Sequence, residues 1–199
     1  MVEREIYVTD GKYKICPIID EDRRSYIETR RQQDSETLFL NLVAKDIMWS
    51  SVLEDRDKTY VILNEKGEYC GYIELQNPSD EHPELGIVIL EKYRNKGIGS
   101  VAIKNFAKRY YEENRNEYFL IRISSDNLHS IHVFEKLGAR YMGSEDNGYE
   151  KFMEGIRQKM GDENLSVLEQ FAKKQFGVAS GEQEVVVRYY KYEPCVFLN

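Results

Sequence analysis

Hydrophobic positions fall into short alternating runs early in the chain and into helical stripes between them. Residues 12–19 alternate enough for an opening strand, and Asp20-Glu21-Asp22 then puts acids where a helix N-terminus favours them, so a helix to about Arg31 is predicted. Ser35 is placed to cap a second helix, since Leu38, Phe39, Leu42, Val43 and then Trp49, Val52 and Leu53 recur at helical spacing. Residues 59–63 and 68–75 are β-rich runs joined by Asn64-Glu65-Lys66-Gly67, a hairpin turn by composition, and residues 84–90 complete an antiparallel meander. Ile103, Phe106, Ala107 and Tyr110 then follow the i, i+3, i+4, i+7 stripe of a helix packed on a sheet. A strand at 118–123, a helix with the stripe Leu128, Ile131, Phe134 and Leu137, and a last strand near 184–192 complete the pattern. The order predicts an α/β layer arrangement.

Residues 145–184 interrupt that pattern before the last strand. They hold two helical patterns, one with Phe152 and Ile156, the other with Leu165, Leu168, Phe171, Ala172 and Phe176, separated by Gly161-Asp162. Their apolar faces must be buried somewhere. Packing on their own domain, a cap over a substrate, or a contact in a homodimer would each do so.

Composition narrows the class. With 199 residues, 41% hydrophobic, the chain is long enough for one well-buried core, and a single domain over residues 1–199 is expected. Cys16, Cys70 and Cys195 lie far apart without C-x-x-C spacing, so neither a disulfide framework nor a thiolate metal site is indicated, and reduced thiols in a cytoplasmic protein are expected. No apolar run approaches the ~20 residues of a membrane helix. The start Met1-Val2-Glu3-Arg4-Glu5 lacks a signal peptide's apolar core, so no membrane partner is expected. A net charge of −7 argues against nucleic-acid binding and would draw a cationic substrate.

The candidate chemistry begins where the apolar run Ile87-Val88-Ile89-Leu90 breaks into Glu91-Lys92-Tyr93-Arg94-Asn95-Lys96-Gly97-Ile98-Gly99-Ser100 and then a long amphipathic helix. Gly97 and Gly99 remove the Cβ atoms that would hold a ligand off the backbone, and the free N–H groups of the first helical turn point at whatever sits there. The helix dipole favours an anion, and Arg94 and Lys96 add positive charge. The spacing R-x-x-G-x-G is neither the Rossmann fingerprint nor a P-loop. It reads as a diphosphate cradle, or else as a plain strand-to-helix turn with surface lysines. His129 and His132 stand i, i+3 on a helix without a third ligand, so they read as surface histidines and no metal site is expected.

A second motif follows in register. Asn127-Leu128-His129-Ser130 leads into Ile131-His132-Val133-Phe134-Glu135-Lys136-Leu137-Gly138-Ala139. Together the two motifs resemble those of the GNAT superfamily of acetyl-coenzyme A-dependent N-acyltransferases, with its [QR]-x-x-G-x-[GA] loop and N-x-x-[SA]-x-x-x-[YF]-x-K-x-G-[FA] helix. The resemblance covers residues 12–144 and the final strand, and is nearest to the bacterial branch that includes ribosomal-protein N-terminal and spermidine acetyltransferases. It implies the GNAT fold, a mixed, mostly antiparallel sheet flanked by helices with its central strands splayed, and acetyl-CoA as cosubstrate. It implies that pantetheine lies along Ile87, Val88 and Ile89, and that the residues from Arg94 to Ser100, including Asn95 and Ile98, hold the diphosphate. Asn127 either caps its helix or reaches the pantetheine; Ser130 faces the same way, and Lys136 either reaches the adenosine phosphates or is solvated. Phe134 packs, and it stands where many members carry a tyrosine that protonates the departing thiolate. Tyr141, Tyr149, a water, or unassisted thiolate departure would replace that acid.

By resemblance Glu84 is the candidate general base, matching the glutamate at the strand start in some polyamine and N-terminal acetyltransferases, with Glu74 and His82 in reserve. The expected function is transfer of acetyl from acetyl-CoA to a primary amine by direct attack, the acceptor being a protein N-terminus, a polyamine or an amino sugar. A noncatalytic acyl-CoA-binding sensor or interaction module on the same fold is the rival, and Phe134 is the residue that keeps it in play.

Overall fold

The computed structural model describes residues 4–32, 42–78, 81–146, 148–160 and 186–194. Strands β1 (Val8–Thr9), β2 (Tyr13–Pro17), β3 (Thr59–Asn64), β4 (Tyr69–Gln76), β5 (Glu84–Ile89), β6 (Phe119–Ser124), β7 (Arg140–Asp146) and β8 (Val186–Tyr192) form one sheet in the order β1-β2-β3-β4-β5-β6-β8-β7. Helices α1 (Arg23–Arg31), α2 (Leu42–Glu54), α3 (Ile98–Asn114), α4 (Leu128–Lys136) and α5 (Tyr149–Met160) accompany it. The β3–β4 turn is built as its composition predicts: Asn64 Oδ1 accepts from the N–H groups of Lys66 and Glu68, and Gly67 takes φ +75°.

Alternation sorts the strand side chains onto two faces. On one, Ile73, Leu85, Phe119, Ile121 and Tyr190 pack with Ile98, Ala102, Ile103, Phe106, Ala107 and Tyr110 of α3 and with Ile131 and Phe134 of α4. On the other, Val61, Tyr72 and Val88 pack with Tyr26 of α1 and Trp49 of α2, whose indole Nε1 donates to Asp20 at 2.9 Å. The α3 stripe lies where its periodicity places it.

The sheet is antiparallel except where β5 meets β6. There the strands run parallel and are matched at one position, Glu84 opposite Leu120, with the Leu120 N–H donating to the Pro83 carbonyl at 3.0 Å. Beyond that point the two strands part, and the sheet consists of a β1–β5 half and a β6–β8–β7 half joined at the base of a V. On the closed side of β5 the pairing is tight: a Cβ on Gly71 would lie 2.1 Å from the Val88 carbonyl oxygen.

Four details differ from the sequence reading. Leu128, assigned to the apolar stripe of α4, is 69% exposed, because periodicity finds the buried face of a helix but not where along its length the sheet stops. Among the described side chains of α5, Tyr149 and Met153 are buried whereas Phe152 is exposed, a phase shift of one residue. Glu145 and Asp146, counted with the insertion, end β7, and the two-residue β1 had no pattern to reveal it. Ser35, Leu38 and Phe39, and the helical pattern around 165–176, lie outside the described residues.

Candidate active site

The V between β5 and β6 opens onto a cleft of about 570 Å³. Ile87, Val88 and Ile89 line it from β5; Arg94, Asn95, Gly97, Ile98, Gly99 and Ser100 from the turn and first turn of α3; Asn127, Ser130 and Phe134 from α4. The two sequence motifs, 33 positions apart from Arg94 to Asn127, are therefore brought to opposite walls of one space. Lys96 and Lys136 do not line it. The Lys96 ammonium donates to the Lys92 carbonyl at 2.8 Å and lies over the Tyr93 ring.

The turn owes its shape to two left-handed residues, Asn95 at φ 58° and Gly97 at φ 75°. Gly97 is the N-cap of α3, and no side chain caps the helix; the first bond of the α3 ladder is Val101 N–H to the Gly97 carbonyl at 3.2 Å. The N–H groups ahead of it have no helical acceptor, which suits an anion. Arg94 fixes the exit of the strand by donating Nε–H to the Ile89 carbonyl at 3.1 Å. A Cβ at Gly99 would meet Ile89 Cγ1 at 3.6 Å and Ile87 Cδ1 at 3.9 Å, an ordinary contact. The fold thus has room for a methyl group there, and what Gly99 keeps open is the space between helix and strand.

On the facing wall, Asn127 Oδ1 accepts from the Ser130 N–H at 3.1 Å and so caps α4. This bond uses the carbonyl oxygen; the amide nitrogen carries two further donors, so capping and a contact to a ligand are compatible rather than competing. Phe134 is buried, 4% exposed, and lines the cleft.

Glu84 sits at the base of the V, half-buried, on the sheet face that carries α1 and α2. Its carboxylate lies 3.6 Å from Arg122 Nη1 of β6, and Arg122 Nη2 lies 3.6 Å from Glu145 of β7. Glu74, opposite Gly86 on the same face, pairs with Arg30 Nη1 at 3.8 Å. Burial raises the Glu84 pKa above the ordinary carboxylate range, Arg122 opposes that shift, and Glu74 adds to it. His82 stacks on Tyr118 at 3.8 Å and Tyr141 is bonded to Ser144 at 2.6 Å; neither of these nor Tyr149 lines the cleft.

Tyr93, Ile103, His129 and Val133 also line the cleft, and the sequence reading did not assign them to it. For His129 and Val133 a signal existed, since they stand i, i+4 on the helix that carries Asn127, Ser130 and Phe134.

Comparison with known proteins agrees with this fold. The family model described as "Acetyltransferase (GNAT) domain" matches residues 14–140, which carries both motifs. An N-acetyltransferase 9-like protein of Caenorhabditis elegans is 32% identical over 135 residues, 58% of this chain and 66% of its own length. The chain thus spans about two thirds of that relative. Among solved structures, a GNAT-family acetyltransferase from Bacillus anthracis superposes with a TM-score of 0.63 at 18% identity, covering 94% of this chain and 98% of the other. Spermidine N-acetyltransferase from Vibrio cholerae, in complex with CoA and spermine, gives 0.63 at 12% identity, covering 92% and 97%. Two walls built from the R-x-x-G-x-G turn and the Asn-led helix, and a matching family model over most of the sheet, lead to one assignment: the chain belongs to the GNAT acetyltransferase family.

Proposed function

We propose that this protein transfers acetyl from acetyl-CoA to a primary amine by direct attack, within the reducing cytosol where Cys16 and Cys70 remain free thiols. The observation that carries this reading is the cleft in which an uncapped helix N-terminus, Arg94 and the Asn127 amide face each other across an open strand edge. The N–H groups of Ile98, Gly99 and Ser100 hold the diphosphate, the edge of β5 pairs with the pantetheine arm, and the Asn127 amide donates to it from α4. Lys96, turned to its own loop, and Lys136 line no part of the cleft and take no part in this arrangement.

At the other end the acceptor enters from the α1–α2 face. Its nitrogen attacks the thioester carbonyl carbon, a main-chain N–H of β5 steadies the oxyanion, and the proton passes to Glu84 directly or through water. The carbon–sulfur bond breaks and CoA leaves as a thiolate with an ordinary pKa near ~8.5, so Phe134 in place of a tyrosine leaves the reaction feasible. Glu74, Glu84 and Glu145 outnumber their partners Arg30 and Arg122 by one charge, which favours a cationic acceptor, and spermidine acetyltransferases among the structural neighbours are consistent with a polyamine; a protein N-terminus and an amino sugar carry the same reacting group.

Thiol release from acetyl-CoA, followed across a panel of peptide α-amines, polyamines and amino sugars, tests the reading and ranks the acceptors. Saturable turnover with one class is expected. Tight acetyl-CoA binding with no release on any amine would favour the noncatalytic binder.

A further inference from the structure

Three charged side chains from separate strands meet where the two halves of the sheet join. Arg122, on β6 two residues past the Glu84–Leu120 match, reaches back across the opening V to Glu84 at 3.6 Å and outward to Glu145 at 3.6 Å, while its guanidinium lies over Tyr189 of β8, 5.7 Å from the ring centre. Leu120 and Arg122 share one face of β6, the face on which Glu84 stands on β5. Arg122 is 42% exposed at its side chain and Glu84 only 18%, so the guanidinium is the more solvent-facing partner of the pair.

Resting on the proposed acetyltransferase reading, we infer that Arg122 is a positioning residue for the base: it aims the Glu84 carboxylate at the base of the V and keeps it ionised there. A half-buried carboxylate with Glu74 beside it favours the protonated, useless form. A planar guanidinium anchored on Tyr189 and Glu145 supplies the opposing charge from a fixed direction. The charged groups facing Glu84 are Glu74 of β4 with its partner Arg30 of α1, Arg122 of β6, and Glu145 of β7 behind Arg122. Among the described residues, Arg122 is the cation in direct contact. Because it touches neither the reacting nitrogen nor the thioester, its effect runs through Glu84.

The test is the protonation midpoint of Glu84, read by carbon-13 NMR of labelled glutamate carboxyls, the signal being identified by its loss in Glu84→Gln. This readout does not depend on turnover, so it separates failure of this inference from failure of the acetyltransferase reading. In Arg122→Met the midpoint should rise by about one pH unit, and in Arg122→Lys, which keeps the charge but loses the planar anchored fork, it should rise by less. In the active enzyme the acid limb of kcat at saturating amine should move by the same amount, with acetyl-CoA affinity unchanged. Should Arg122→Met fail to fold, Glu145→Gln serves instead: with its second anchor gone Arg122 pairs with Glu84 alone, and the midpoint should fall. An unmoved midpoint in a folded Arg122→Met, or in Glu145→Gln where that variant stands in, would overturn the inference and leave Arg122 a tie between strands.

Discussion

At the scale of single residues, the site divides into positions the fold requires and positions it leaves open for a ligand. Gly97 is of the first kind: its φ of 75° is one an L residue adopts at a cost of roughly 1–2 kcal/mol, so Gly97→Ala should lower stability by about that amount in a denaturant titration. Gly99 is of the second kind. Gly99→Asp should fold with near-parental stability yet lose acetyl-CoA binding by calorimetry, because a negative charge would enter the anion site; unchanged affinity would remove the cradle. Glu84 has a signature in stability as well as rate. Its folded pKa lies above the ordinary glutamate value, so its contribution to stability is full below that value and is lost as pH rises through the folded midpoint. Glu84→Gln should therefore gain stability relative to the parent across that window, while kcat/KM at neutral pH falls roughly 100-fold or more. A variant that keeps the parent's rate would pass the base role to Glu74 or to water.

Elements show how far the sequence could be read. The α3 stripe and the turn signals around Gly67 and Gly97 were legible, because each rests on a local period or a local backbone need. The motifs were legible as a family signature, and 12 of the 14 residues assigned to the cosubstrate line one cleft, whereas Glu84 is not among its lining residues. What was hidden depends on tertiary placement. Lys96 turns to its own loop carbonyl, Leu128 lies beyond the sheet's cover, and Arg122, which alternation makes an ordinary outward strand residue, meets Glu84 only because two distant strands share a base. The two walls make an element-scale prediction. Asn127→Ala should cost about 1 kcal/mol through its lost cap and should also weaken acetyl-CoA binding by calorimetry. A loss of stability with affinity unchanged would make Asn127 a cap alone. Phe134→Ala should cost ~3–5 kcal/mol, since the ring is buried, whereas Phe134→Tyr should leave kcat within a few-fold.

For the whole molecule, the decisive feature is a sheet whose halves touch at one matched pair and part around a ligand-sized gap. A ligand that fills the gap binds only the folded state, so acetyl-CoA at a hundred times its Kd should add about 2.7 kcal/mol and raise Tm by several degrees. Gly99→Asp should abolish that rise. Among the described residues no helix is long and apolar enough to cross a membrane.

The central claim is that the cleft brings acetyl-CoA and a free amine together without an acetylated protein between them. Its most direct measurement is mass spectrometry of protein and products after incubation with acetyl-CoA, first alone and then with the best amine of the panel. The account predicts unmodified protein throughout, no CoA release before the amine is added, and one CoA for each N-acetylated amine afterwards. An acetyl group on the protein that passes to the amine, or acetyl-CoA bound at the cleft with no acetylated product from any amine, would contradict it.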